Sequence, residues 1–162
     1  TLQSNGFLTV ENEGYVTQGG GLYNSGTIED ITDIIITNNY ADQGGGLYNS
    51  GEIAVDGSAS NLYITGNTAR QGGGIYLAGG YIVTDALTLS NGGNRGITGN
   101  TARQGGGIYV AGYRETLLLK NLSISSNTAT GIDTWSEDKK TDEIRASGAG
   151  ISVTGSAGFS SV

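Results

Sequence analysis

The thirteen residues ITGNTARQGGGIY stand at positions 64–76 and again, letter for letter, at positions 97–109. A catalytic motif is needed once, whereas an architectural unit is needed as often as the architecture repeats, so an internal repeat is the first constraint on the fold. The triplet GGG begins at Gly19, Gly44, Gly72 and Gly105, and a degenerate GAG begins at Gly148, giving intervals of 25, 28, 33 and 43 residues. Growing intervals around a constant phrase describe a fixed unit that carries insertions of different length.

Aligning the copies on the first glycine gives each position a role. Three places on stand Leu22, Leu47, Ile75, Ile108 and Ile151, followed by Tyr23, Tyr48, Tyr76, Tyr109 and then Ser152. Gln18, Gln43, Gln71 and Gln104 precede their triplets, and Asn39, Asn67 and Asn100 lie five places before. The last copy keeps the upstream phrase as ISSNTA, with Asn127, displaced from its triplet. The units are too short for propeller blades, and no 3.6-residue apolar period supports a helical repeat. Runs such as IIIT, LYIT and GYIVT, broken by Gly and Asn, read as brief strands between turns.

The expected fold is therefore all-β, a parallel β-helix (β-solenoid) of about five to six coils. Each coil holds roughly three strands and stacks about 4.8 Å from the next. Leu22, Leu47, Ile75, Ile108 and Ile151 line the interior as an apolar ladder. Asn39, Asn67, Asn100 and Asn127 form a corner ladder whose amides bond one another and the local backbone. The tyrosines form an outer column, and Arg70 and Arg103 stack in register.

Composition narrows function by exclusion. Glycine supplies 30 of 162 residues, well above the usual share of roughly 7%, and proline is absent. The chain has no Cys, His or Met, which removes disulfides, thiolate nucleophiles, imidazole bases and the common zinc-ligand sets. No metal site and no cofactor is expected. A net charge of -7 argues against nucleic acid or an anionic membrane as partner. No apolar run approaches the roughly 18 residues of a membrane span, so no direct membrane insertion is expected. The pattern is under way at Thr1, so we read residues 1–162 as a single β-helix segment of a longer protein.

The phrases ITNNYADQGGGLYNSG, ITGNTARQGGGIYLAGG and ITGNTARQGGGIYVAGY resemble the repeats of right-handed parallel β-helix surface proteins. These include bacterial adhesin-like proteins and polymorphic outer-membrane proteins of the autotransporter-passenger type. In the latter, GGA-[ILV] and F-x-x-N signatures recur, and here GGGL, GGGI and ITxN stand in similar places, with Gly for Ala and Ile for Phe. The resemblance implies a right-handed coil and an extracellular or cell-surface location.

Three functions compete. A non-catalytic, adhesin-like stalk or binding surface fits the resemblance. A polysaccharide lyase or hydrolase on a β-helix would need clustered carboxylates, whereas Asp30, Asp33 and Asp42 are scattered along the sequence. A structural subunit could stack end to end with neighbouring solenoid chains at open ends. The candidate recognition element is the loop insertion at 130–147, TGIDTWSEDKKTDEIRAS, placed where other copies have two residues. It carries Trp135, the only Trp, with Glu137, Asp138 and Lys139 beside it, an aromatic among charges of the kind that anchors binding. Tyr76 and Tyr109 of the column are the second candidates, and a host or matrix glycan or protein is the expected partner.

Overall fold

Short β-favouring runs punctuated by glycine and asparagine cannot build long strands. In the computed structural model, no strand among the described residues exceeds five residues. The structure describes residues 2–3, 7–10, 14, 16–29, 33–55, 61–84, 96–111, 116–119, 122–131 and 148–153.

The strands come in successive groups of four. The first group is β1 (Leu2–Gln3), β2 (Phe7–Val10), β3 (Val16–Gln18) and β4 (Leu22–Asn24). The second is β5 (Thr27–Glu29), β6 (Asp33–Thr37), β7 (Tyr40–Gln43) and β8 (Leu47–Asn49). Next come β9 (Glu52–Val55), β10 (Asn61–Thr65), β11 (Thr68–Gln71) and β12 (Ile75–Leu77). They are followed by β13 (Tyr81–Thr84), β14 (Gly96–Thr98), β15 (Thr101–Gln104) and β16 (Ile108–Val110). The group nearest the C-terminus is β17 (Thr116–Leu119), β18 (Ser123–Ser125), β19 (Thr128–Ala129) and β20 (Ile151–Val153).

Equivalent strands of successive groups pair with each other, so the molecule has four walls, each a five-stranded sheet among the described residues. The orders are β1-β5-β9-β13-β17, β2-β6-β10-β14-β18, β3-β7-β11-β15-β19 and β4-β8-β12-β16-β20, and every pairing is parallel. This is a parallel β-helix. The two identical phrases lie one coil apart in perfect register, with Ile64 against Ile97, Thr68 against Thr101 and Tyr76 against Tyr109.

Each coil has four strands rather than the roughly three expected from the sequence. The phrase ITxNTA looks like one run but turns a corner inside it. The residue before each corner asparagine has a left-handed backbone, with φ of 58° at Asn38, 68° at Gly66, 64° at Gly99 and 56° at Ser126. Only Gly, Asn and a few small polar residues take that conformation readily.

The core is one contiguous apolar cluster built from columns of stacked side chains. Ile28, Ile53 and Ile82 come from the first wall, and Ile34, Ile36, Leu62, Ile64 and Ile97 from the second. Ala41, Ala69 and Ala102 come from the third, and Leu47, Ile75, Leu77, Ile108 and Val110 from the fourth. A fully buried isoleucine contributes about 1.5–3 kcal/mol, and the isoleucines, leucines and valine of the first, second and fourth walls pack against one another.

Glycine at the third triplet position has a spatial cause. A Cβ on Gly74 would lie 2.7 Å from the Gly107 carbonyl oxygen, 2.9 Å from Ile97 Cγ2 and 3.0 Å from Asn100 Nδ2. The carbonyl oxygen of the neighbouring triplet, with the isoleucine methyl and the ladder asparagine of ITxN beside it, thus occupies the space that an alanine methyl would need.

Candidate functional site

The corner between the third and fourth walls gathers most of the outward chemistry. The chain reaches it on a Gln and leaves it on a Leu or Ile followed by Tyr, with the triplet between. The first glycine of each triplet has a φ between 57° and 64°, a turn that a side chain would strain. Backbone hydrogen bonds between triplets of neighbouring coils, such as Gly45 N to Gly72 O at 3.1 Å and Gly73 N to Gly105 O at 3.1 Å, hold the corners in line.

That alignment puts the glutamines in contact. Gln18 Nε2 donates to Gln43 Oε1 at 3.0 Å, Gln43 to Gln71 at 3.4 Å and Gln71 to Gln104 at 3.0 Å. On the other side of the corner the tyrosines stack. Ring centroids are 5.0 Å apart for Tyr23 and Tyr48, 5.3 Å for Tyr48 and Tyr76, and 5.2 Å for Tyr76 and Tyr109. Burial, followed by the neighbouring Tyr23, holds the Tyr48 phenol above its ordinary value, while a hydrogen bond with Gln18 pulls the other way. Tyr76 is raised by burial first and then by Tyr109 and Tyr48.

Exposure falls along the tyrosine column. Tyr23 is 50% exposed, Tyr76 is 9% and Tyr109 is 6%. The ring faces are spent on one another, and the two tyrosines singled out from the sequence, Tyr76 and Tyr109, are the buried ones. Of the insertion at 130–147, Thr130 and Gly131 continue the pairing, through Thr130 N to Ala102 O at 2.8 Å and Gly131 N to Arg103 O at 3.0 Å. Trp135, Glu137, Asp138 and Lys139 lie outside the described residues.

The asparagine ladder occupies the corner between the second and third walls. Asn39, Asn67 and Asn100 each donate from Nδ2 to the next rung's Oδ1 at 3.0 Å, ending on Asn127. Their backbone N–H groups donate to the same oxygens at 2.9, 3.0 and 3.0 Å.

Sequence reasoning missed two features. One is a second buried amide pair on the fourth wall, Asn24 Nδ2 to Asn49 Oδ1 at 2.7 Å, which the doubled phrase LYNSG could have signalled. The other is an open groove of about 430 Å³ on the third wall, lined by Thr17, Gln18, Asp42, Gln43 and Arg70. Asp42 had read as a scattered acid. Pairing of Ala41 with Ala69 and of Gln43 with Gln71 places it level with Arg70 on the next coil.

Fold and columns together define a repeat-built parallel β-helix that displays in-register polar and aromatic side chains along its length. Residues 33–50 and 61–78 match the Chlamydia polymorphic membrane protein repeat. These are equivalent segments one coil apart, each running from the second wall through both corners to the fourth. No curated protein and no solved structure matches the chain. The matched repeat is that of a bacterial surface protein of the outer-membrane type, and the stacked parallel sheets agree with it.

Proposed function

We propose that this chain is a non-catalytic, adhesin-like rod, exposed outside the bacterial cell, that holds a binding surface away from its anchor. The repeat match at 33–50 and 61–78 supports this reading most directly. Physical support comes from the way the stack is built. Its interior is apolar and its corners are tied by amide ladders, so outward residues can vary without disturbing the fold. The insertion at 130–147 is the first proposed contact region on that rod, because long insertions in solenoids emerge on one face and carry function.

The reading is tested by coating beads with the chain and measuring retention on cultured epithelial cells and on extracellular matrix. A variant with residues 131–146 replaced by a short Gly-Ser turn is measured beside it, with circular dichroism to verify folding. The expected result is retention of parent beads well above albumin-coated beads, and its loss in the folded variant. Parent beads that wash off like albumin beads would sink the adhesive reading. Equal retention of both would remove the insertion as the contact region.

A further inference from the structure

Among the described residues, the groove on the third wall is a concave surface of mixed chemistry. It spans three coils, with Thr17 and Gln18 from β3, Asp42 and Gln43 from β7 and Arg70 from β11. Register makes it a column. Val16 pairs with Ala41 and Gln18 with Gln43, which sets Thr17 level with Asp42, and the same relation sets Asp42 level with Arg70.

We propose that this groove binds a neutral, hydroxyl-rich oligosaccharide lying along the coil axis. This rests on the adhesive reading and gives it a ligand class and a second address.

Three physical arguments lead there. First, the groups match hydroxyls. A carboxylate accepts two hydrogen bonds, a guanidinium donates several in a planar fork, and a threonine hydroxyl does both. Each sugar hydroxyl is both donor and acceptor, so a saccharide can use Asp42 and Arg70 together where a purely anionic or cationic ligand can use only one. Second, the two charges that line the groove, Asp42 and Arg70, are of opposite sign while the chain as a whole carries -7, so a polyanion meets repulsion from the rest of the molecule. Third, the shape is wrong for other classes. The groove is open and polar, unlike the enclosed, mostly apolar pockets that hold small hydrophobic ligands. An extended peptide needs a free sheet edge for strand addition, whereas the groove lies on the face of a wall whose strands β3, β7 and β11 pair with one another. Rungs spaced about 4.8 Å apart present a different hydroxyl-matching group on each coil, Thr17, then Asp42, then Arg70, beside a glutamine that recurs on every one.

The glutamine ladder is what makes the groove rigid. Because Gln18, Gln43 and Gln71 hold one another, Gln18 and Gln43 bring no loose rotamers to be frozen on binding, which lowers the entropic penalty of association.

The test presents the whole chain to an array of neutral and uronate-bearing oligosaccharides and follows hits by titration calorimetry. Asp42→Asn and Arg70→Gln are measured in parallel, with Glu52→Gln on the first wall as a control and circular dichroism to verify folding. The proposal expects neutral oligosaccharides to bind, each groove variant to lose tenfold or more in affinity, and the control to bind as the parent does. Affinity should hold between about 0.05 and about 0.5 M salt, because no net charge is paired. It is overturned if no neutral oligosaccharide binds, if both groove variants bind like the parent, or if only uronate-bearing ligands bind and salt abolishes them. Bead adhesion by a chain that binds no neutral oligosaccharide would remove the groove while leaving the adhesive reading. Groove-dependent saccharide binding by beads that do not adhere to cells would do the reverse.

Discussion

At Asn67 four hydrogen bonds converge on one side-chain amide that has no accessible surface. Its Oδ1 accepts from the Asn39 backbone N–H at 2.9 Å and from Asn39 Nδ2 at 3.0 Å. Its Nδ2 donates to Ile36 O at 3.0 Å and Asn100 Oδ1 at 3.0 Å. Removing that amide takes an acceptor from two Asn39 donors and a donor from Ile36 O on the preceding coil, whereas Asn100 Oδ1 keeps the Asn67 backbone N–H, and each buried hydrogen-bonding group left without its partner costs about 1–3 kcal/mol. Asn49 is a useful contrast. It is equally buried, donates to Gly51 O at 2.9 Å and Tyr81 O at 3.3 Å and accepts from Asn24 Nδ2 at 2.7 Å, but Gly51 O also accepts the Tyr81 N–H at 3.1 Å and Asn24 Nδ2 also donates to Gly26 O and Glu52 O. The next rung of its column is Leu77, followed by Val110, so the wall already accommodates an aliphatic side chain there. We expect Asn67→Leu to lower unfolding stability by at least about 3 kcal/mol in urea titration, and Asn49→Leu to lower it by clearly less. Equal losses would mean that the two amide sites are equivalent after all. The sequence announced the first ladder through four copies of one phrase, but the second only through LYNSG written twice. A column that is half polar and half apolar does not read as a ladder until register is known.

Strands in this chain are too short to be stable singly, so each wall depends on its columns. The tyrosine column makes that dependence measurable. Tyr48 and Tyr76 are held above the ordinary value of 10.0, mainly by burial and then by neighbouring tyrosines. The folded state therefore keeps these protons to higher pH than the unfolded chain does. The corresponding stability is fully present below the unfolded value near 10, and is lost as pH rises through the folded values. We expect the melting temperature to begin falling near about pH 10 and to keep falling above it, with a shallower fall in Tyr76→Phe, read by circular dichroism alongside tyrosinate absorbance. An equal slope in the variant would show that Tyr76 does not sense folding. The strands themselves were legible from runs such as IIIT and LYIT. The fourth strand per coil was not, because a corner made by one left-handed residue and a capping asparagine leaves the run of β-favouring letters unbroken.

Across the whole molecule, repetition replaces the features that composition withholds. With no disulfide-forming cysteine and no proline, the chain is held by stacking each coil on the last, and a residue's meaning comes from what lies one coil away. This is why the apolar and asparagine columns could be read from aligned copies, while the groove could not. Asp42 and Arg70 occupy the same repeat position in different copies, and only the pairing of β7 with β11 makes them neighbours. The groove proposal depends on that register. The absence of cysteine permits a clean test. Thr65 and Thr98 hold the same place in the two thirteen-letter phrases and approach to 3.4 Å between Oγ1 atoms. Parallel neighbours about 4.8 Å apart fall within the span a disulfide bridges. The measurement is the yield of intramolecular disulfide in Thr65→Cys/Thr98→Cys under mild oxidation, beside Thr65→Cys/Ser125→Cys, whose residues lie two coils apart. The account predicts rapid, near-complete closure of the first pair and none of the second, whereas failure of the first pair, or equal closure of both, would contradict the stacked register on which the fold and the groove rest.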